Sequence, residues 1–139
     1  MDNGVALITG GASGIGFAVA AQLGRAGYTV VVLGRNTESG RQAATALCAS
    51  GIDAVGDGAD FSNHAEVASL RERLGPLAEP EILVCSAGVM SEKMSKTLRT
   101  APDEWDRVLG VNLLGVVNAL SHFAPPMVAA RSGRVIALS

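Results

Sequence analysis

Thr9-Gly10-Gly11-Ala12-Ser13-Gly14-Ile15-Gly16 is the stretch whose residue types and spacing offer chemistry most directly. It follows the apolar run Val5-Ala6-Leu7-Ile8 and precedes the helix-like run from Phe17 to Ala26, so the pattern reads strand, glycine turn, helix. A helix that begins in such a turn directs unpaired N–H groups and its positive dipole end into the turn, which makes a seat for an anion. A pyrophosphate fits that description. Gly10 suits a sharp exit from the strand, Gly14 removes the Cβ that would hold a phosphate away, and Gly16 lets the helix pack close to the strand. The spacing Gly-x-x-x-Gly-x-Gly differs from the Gly-x-Gly-x-x-Gly fingerprint, and Gly16-Phe17 lacks the Gly-Lys-Ser/Thr of a P-loop. A bound nucleotide is expected, and transfer of a terminal phosphate is not.

The turn must be flanked by further strands, and the sequence supplies them. Tyr28-Thr29-Val30-Val31-Val32-Leu33 is rich in β-branched residues and has no polar face, the pattern of a parallel strand covered on both sides. It ends about twenty residues after the glycine turn, the interval at which a dinucleotide fold places the group that reads the adenosine ribose. Gly34-Arg35-Asn36 stand there. A carboxylate would accept hydrogen bonds from a free 2′-hydroxyl. Gly34 offers none, while Arg35 offers a cation and several donors for a 2′-phosphate. NADP is therefore expected over NAD, with Arg35 and Asn36 at its ribose. The missing carboxylate also argues against a methyltransferase.

Thr37 to Ser50 reads as a helix with Ala43, Ala44, Leu47 and Cys48 as its apolar stripe and Gly51 as its stop. Ile52-Asp53-Ala54-Val55-Gly56 is a weak third strand that leads to Asp60-Phe61, and a charged surface helix runs from Ser62 to about Leu74. Asp60 is placed to cap that helix. The strand beginning at Glu81 stops at Ser86-Ala87-Gly88, next to the phosphate turn, where a doubly wound sheet reverses its order and leaves room for a flat cofactor. Val89 to Arg99 reads as a polar loop or irregular helix, with Met90 and Met94 as substrate wall or as gap-fillers.

From Thr100 a long helix is expected: Thr100 as cap, Pro102 in the first turn, and Asp103, Glu104 and Asp106 near its positive end. Trp105, Val108, Leu109, Val116, Ala119, Leu120 and Phe123 share one face, and Asn112 lies among them. A buried amide must have partners, either a neighbouring backbone or something functional. Pro125-Pro126 should break or kink the helix near its end, before a fifth strand over Arg134-Val135-Ile136-Ala137-Leu138.

The Thr9 to Gly16 turn resembles the phosphate loop of the short-chain dehydrogenase/reductase family, and Trp105 to Gly115 closely resembles that family's fourth-helix motif. The resemblance spans essentially the whole chain. It implies an α/β, Rossmann-like doubly wound parallel sheet, about five strands present and truncated after the fifth. It also implies hydride transfer between a nicotinamide and a small carbonyl or alcohol substrate. By the same resemblance, Thr9, Gly10, Ser13, Gly14, Ile15 and Gly16 cradle the cofactor's phosphates. Asp60 reaches toward the adenine amine with the Phe61 amide closing the edge, and Asn112 holds a water in the proton relay. Cys85-Ser86 stand where the family's Asn-Asn-Ala-Gly motif has asparagines, so the hydrogen bonding of a strand-tying asparagine must be replaced, with Ser86 as one source; Ala87 and Gly88 match. The family's catalytic serine would fall just after Ser139, and its tyrosine and lysine have no counterpart. Tyr28 lies in the second strand, and Lys93 and Lys96 lie before the long helix. The resemblance thus implies a cofactor domain over 1–139 that is inactive by itself, in a parent that is a homo-oligomer through the long helix. A dinucleotide-binding or regulatory protein without chemistry is the alternative.

Composition narrows the classes. A chain of 139 residues is one domain's worth, with 48% hydrophobic and 17% charged residues and no apolar run of membrane-span length. A net charge of −2 gives no reason to expect nucleic acid or an acidic membrane surface. Met1-Asp2-Asn3-Gly4 has no signal-peptide character, so a cytoplasmic location is expected. Cys48 and Cys85 form no Cys-x-x-Cys and have no histidine at zinc spacing, so neither a disulfide nor a metal is expected. His64 and His122 are expected to be surface or partly packed residues without a catalytic role.

Overall fold

The computed structural model describes residues 3–90 and 96–139. The expectations for Lys93 and Met94 lie outside these. Five parallel strands form one sheet, β1 (Val5–Thr9), β2 (Thr29–Gly34), β3 (Ala54–Gly58), β4 (Ile82–Cys85) and β5 (Arg134–Ala137), in the order β3-β2-β1-β4-β5. The order reverses between β1 and β4, whose registers place Thr9 opposite Cys85. The central strands β1, β2 and β4 are apolar on both faces because helices cover both. Leu7, Val31, Leu33, Leu83 and Cys85 point into one layer, and Ala6, Ile8, Val30, Val32 and Val84 into the other. The first layer is closed by α3 (His64–Leu74), α5 (Gly115–Phe123) and α6 (Pro125–Ala130), and the second by α1 (Gly14–Arg25) and α2 (Thr37–Ala49).

Several local expectations shift. The first helix starts at Gly14, inside the glycine turn, and the third strand lies two residues later than its apolar run suggests. On α2, Ala43, Ala44 and Leu47 are buried but Cys48 is exposed. The charged α3 does more than lie on the surface: Val67, Leu70 and Leu74 face the core. Asn63 caps α3, accepting from the Ala65 and Glu66 amides, while Asp60 turns onto Ser62 instead. Met90 is exposed and fills no gap.

The long helix departs most. It consists of α4 (Pro102–Leu109), a π-helical turn over Gly110–Leu114, and α5. Thr100 does not cap it; the Thr100 hydroxyl donates to the Lys96 carbonyl and Ala101 holds the cap position. In an uninterrupted α-helix, residues five apart are about 140° apart around the axis. Here a Cβ on Gly110 would lie 3.2 Å from Ser62 and one on Gly115 3.4 Å from Phe61, so both glycines face one loop. The wider π turn permits that alignment, and Gly115 allows close approach to this loop and not to the sheet. Pro125 and Pro126 open α6, where a missing N–H costs nothing. Trp105, Leu109, Leu113 and Leu114 remain substantially exposed. No helix among the described residues is long and apolar enough to cross a membrane.

Candidate nucleotide site at the sheet reversal

Gly10 leaves β1 with φ +64°, and a Cβ there would stand 2.6 Å from the Ala87 nitrogen. Glycine is required on both counts, backbone conformation and space. Gly14 also has positive φ, +56°, but a Cβ there would meet nothing within 4 Å. Its main chain therefore faces open space at the positive end of a twelve-residue helix. Gly16 packs against the Gly10 carbonyl, so its closeness serves the turn and not the strand. Thr9 is buried; its carbonyl accepts from the Ser86 amide at 3.2 Å and its hydroxyl from the Ala87 amide at 3.4 Å. These two bonds, one to the Thr9 carbonyl and one to its hydroxyl, tie the ends of β1 and β4, and no Ser86 side-chain bond takes part among the described residues. Cys85 is buried beside them, and burial pushes its thiol up to about 11, which makes it inert.

A cavity of about 800 Å³ opens above these strand ends. It brings together Gly10, Ser13, Gly14, Ile15, Arg35, Asp60, Phe61, Ser86, Ala87 and Gly88. Ala12, Gly34, Ser39 and Ala59 also line it, as does Val89 from the loop expected to form a substrate wall, while Arg107 and Val111 of the following helix carry no such signal in the sequence. Asn36 lies outside this cavity, capping α2 by accepting from the Ser39 amide at 2.8 Å, and lines a neighbouring one. Asn112 is exposed, contrary to its place on an apolar stripe, because the helix face around it is uncovered. Both ends of its carboxamide are nevertheless engaged: Oδ1 accepts from the Val89 amide at 2.8 Å and Nδ2 donates to the Val89 carbonyl at 2.9 Å. Arg107 adds a bond to the Met90 carbonyl at 2.8 Å. The loop after β4 is thus held by two side chains of the following helix.

Sequence reasoning passed over Asp57. It is buried at the end of β3 and receives Thr37 Oγ1, its neighbour's Gly58 amide, and both Nε and Nη2 of Arg73. Burial pushes its carboxyl up, but the Arg73, Gly58 and Thr37 hydrogen bonds and the Arg73 charge outweigh that and hold it below the ordinary value. A charged residue inside a strand otherwise made of small residues was the available signal. The histidines also meet: His122 Nε2 lies 3.2 Å from His64 Nδ1, and Arg71 Nε donates to the His122 carbonyl.

Comparison with known proteins decides the family. The profile of the short chain dehydrogenase family matches residues 4–139. The chain belongs to this family. As a short-chain dehydrogenase it is 38% identical over 97% of its length to glycine betaine reductase ATRR of Emericella nidulans, covering 11% of that protein. It is 33% identical to a 3-oxoacyl-[acyl-carrier-protein] reductase FabG of Staphylococcus aureus, over 96% of this chain and 54% of the reductase. A crystal structure of a metagenomic short-chain oxidoreductase in complex with NADP superposes with a TM-score of 0.88 at 34% identity, covering 97% of this chain and 61% of that one. The chain therefore spans about half the length of the FabG relative, and the α/β doubly wound fold is that of the family.

Proposed function

We propose that the protein carrying this short-chain dehydrogenase chain is an NADP(H)-dependent oxidoreductase acting on a small carbonyl or alcohol substrate, and that this chain supplies its cofactor half. The observation that carries the reading is the single cavity that joins the glycine turn, Arg35 and the carboxyl end of β4 at the sheet reversal. Its open backbone at Gly14 fits a diphosphate, which the amino end of α1 and the Thr9 to Gly16 turn would hold. Arg35 is exposed, has no hydrogen bond or ion pair among the described residues, and would take the 2′-phosphate. Asp60 and Phe61 would border the adenine, Asn36 the ribose, and Ser86, Ala87 and Gly88 the nicotinamide side. The bound nicotinamide supplies or accepts the hydride.

Asn112 belongs to the proton path of this reading. With both ends of its carboxamide on Val89, a relay water would rest on the main chain of the π turn, and the side chain acts by positioning the loop. Tyr28, the chain's one tyrosine, precedes β2 and lies a strand length, about 20 Å, from the carboxyl end where the site opens. It is not the proton donor. We expect the full-length protein to bind NADPH at least tenfold more tightly than NADH by calorimetry, and to oxidise NADPH when offered 3-oxoacyl thioesters or simple ketones. The 139-residue chain alone should show no such turnover. Equal affinity for the two cofactors would overturn the NADP assignment, and reduction by the isolated chain would overturn the half-site reading.

A further inference from the structure

A second cavity, of about 550 Å³, adjoins the first and shares Arg35, Ala59 and Asp60 with it. Arg73, from the last turn of α3, reaches its wall. This arginine is unusually well fixed for a half-exposed side chain. Nε and Nη2 grip the two oxygens of Asp57 at 3.2 and 3.0 Å, and Nη2 also donates to the Gly58 carbonyl at 3.1 Å. Asp57 is anchored in turn by Thr37 and the Gly58 amide. The guanidinium plane is therefore set by the ends of α2 and β3, and Nη1 has no partner among the described residues.

We propose that Arg73 is a second specificity-determining residue for the cofactor, donating from Nη1 to the ribose 2′-phosphate that Arg35 engages from the shared wall. The inference rests on the NADP reading above. Net charge does not carry it, because Asp60 and Glu66 line the same cavity and balance the two arginines. Those carboxylates are partly engaged: Glu66 Oε2 accepts from the Asp60 amide at 2.7 Å, and Asp60 Oδ1 from Ser62 Oγ and N. Selection must therefore come from directed donors, and a guanidinium held in a fork by Asp57 provides them with little ordering cost. Adenosine 2′-phosphate suits such a mixed wall, since it brings an anion for the arginines and an amino donor for a carboxylate.

The test compares adenosine 2′,5′-bisphosphate with adenosine 5′-phosphate by calorimetry on the full-length protein, its Arg73→Met and Arg73→Lys variants, and Arg35→Ala. The wild type is expected to prefer the bisphosphate. Arg73→Met should cut that preference about tenfold while leaving adenosine 5′-phosphate unchanged, and Arg73→Lys, which keeps charge but loses the fork, should cut it less. Equal weakening of both ligands by Arg73→Met would assign the residue a structural role and overturn the proposal, as would an unchanged preference. If Arg73→Met does not fold, Arg73→Lys decides by the same criterion. A wild type without preference would sink the NADP reading itself, whereas a preference lost in Arg35→Ala but kept in both Arg73 variants would sink only the role of Arg73.

Discussion

Asn112 turns both ends of its carboxamide to one residue, in the manner of a neighbouring strand, with acceptor and donor meeting the amide and carbonyl of Val89. Such a pairing holds a loop against a helix at two points, and each bond is worth about 1 kcal/mol. Asn112→Ala should therefore destabilise the protein by about 1 to 2 kcal/mol and accelerate hydrogen exchange at the Val89 amide. Asn112→Asp keeps the acceptor but loses the donor and should retain part of that protection. Unchanged exchange at Val89 in the alanine variant would show that the loop is held by other contacts, among them Arg107 to the Met90 carbonyl. The sequence marked Asn112 as a residue that needed partners and offered a neighbouring backbone as one answer, but did not say that it is Val89's. A carboxamide's reach across 23 residues of chain depends on where the helix is wound, and the π turn that sets it leaves no signature beyond two glycines five apart.

At the scale of elements, β1, β2, β4 and β5 were the most legible part, since each is a short β-branched or apolar run, whereas the small-residue β3 lies two residues later than its run suggests. Helix ends were less so. Asp60 and Thr100 are the right residue types for caps, yet the caps fall to Asn63 and to Ala101, because the approach of neighbouring chain decides which amide is left free. The α3–α5 contact was not legible at all: His64 and His122 are 58 residues apart and come together only when both helices lie on the same face of the sheet. Burial, together with the charges of His64 and Arg71, lowers the His122 pKa. A depressed folded-state pKa means that the unfolded chain binds more protons, so stability is full above the unfolded value of about 6.5 and falls as pH drops below it. Asp57, also depressed, adds a separate loss below its ordinary value of 3.8 as it is protonated away from Arg73. Stability followed by urea denaturation from pH 8 to pH 3 should show both declines. His122→Gln should flatten the upper one and Asp57→Asn the lower. An upper decline that survives His122→Gln would assign it to another group.

Across the whole molecule, the apolar surface is distributed unevenly. The β1–β2–β4 centre is sealed on both faces, whereas β5 is an edge strand among the described residues, with Val135 46% and Ile136 48% exposed on opposite faces. Trp105, Leu109, Leu113 and Leu114 add a second uncovered apolar surface along α4 and the π turn. An edge with free backbone donors and acceptors and apolar side chains on both faces is a template for pairing with another strand. This chain covers 54% of the FabG relative, so about as many residues again of that relative have no counterpart here. The 139-residue polypeptide prepared alone should therefore self-associate at micromolar concentration, while the sheet centre keeps its fold. Ile136→Lys, which places a charge on the edge without touching the nucleotide cavity, should shift the sedimentation distribution toward the 14.1 kDa monomer and leave far-UV circular dichroism unchanged. A wild-type chain that already sediments as a monomer would show that the edge is protected in solution. Association that persists unchanged in Ile136→Lys would instead move the contact to the α4 and π-turn surface, where Leu113→Lys would be the variant to disperse it.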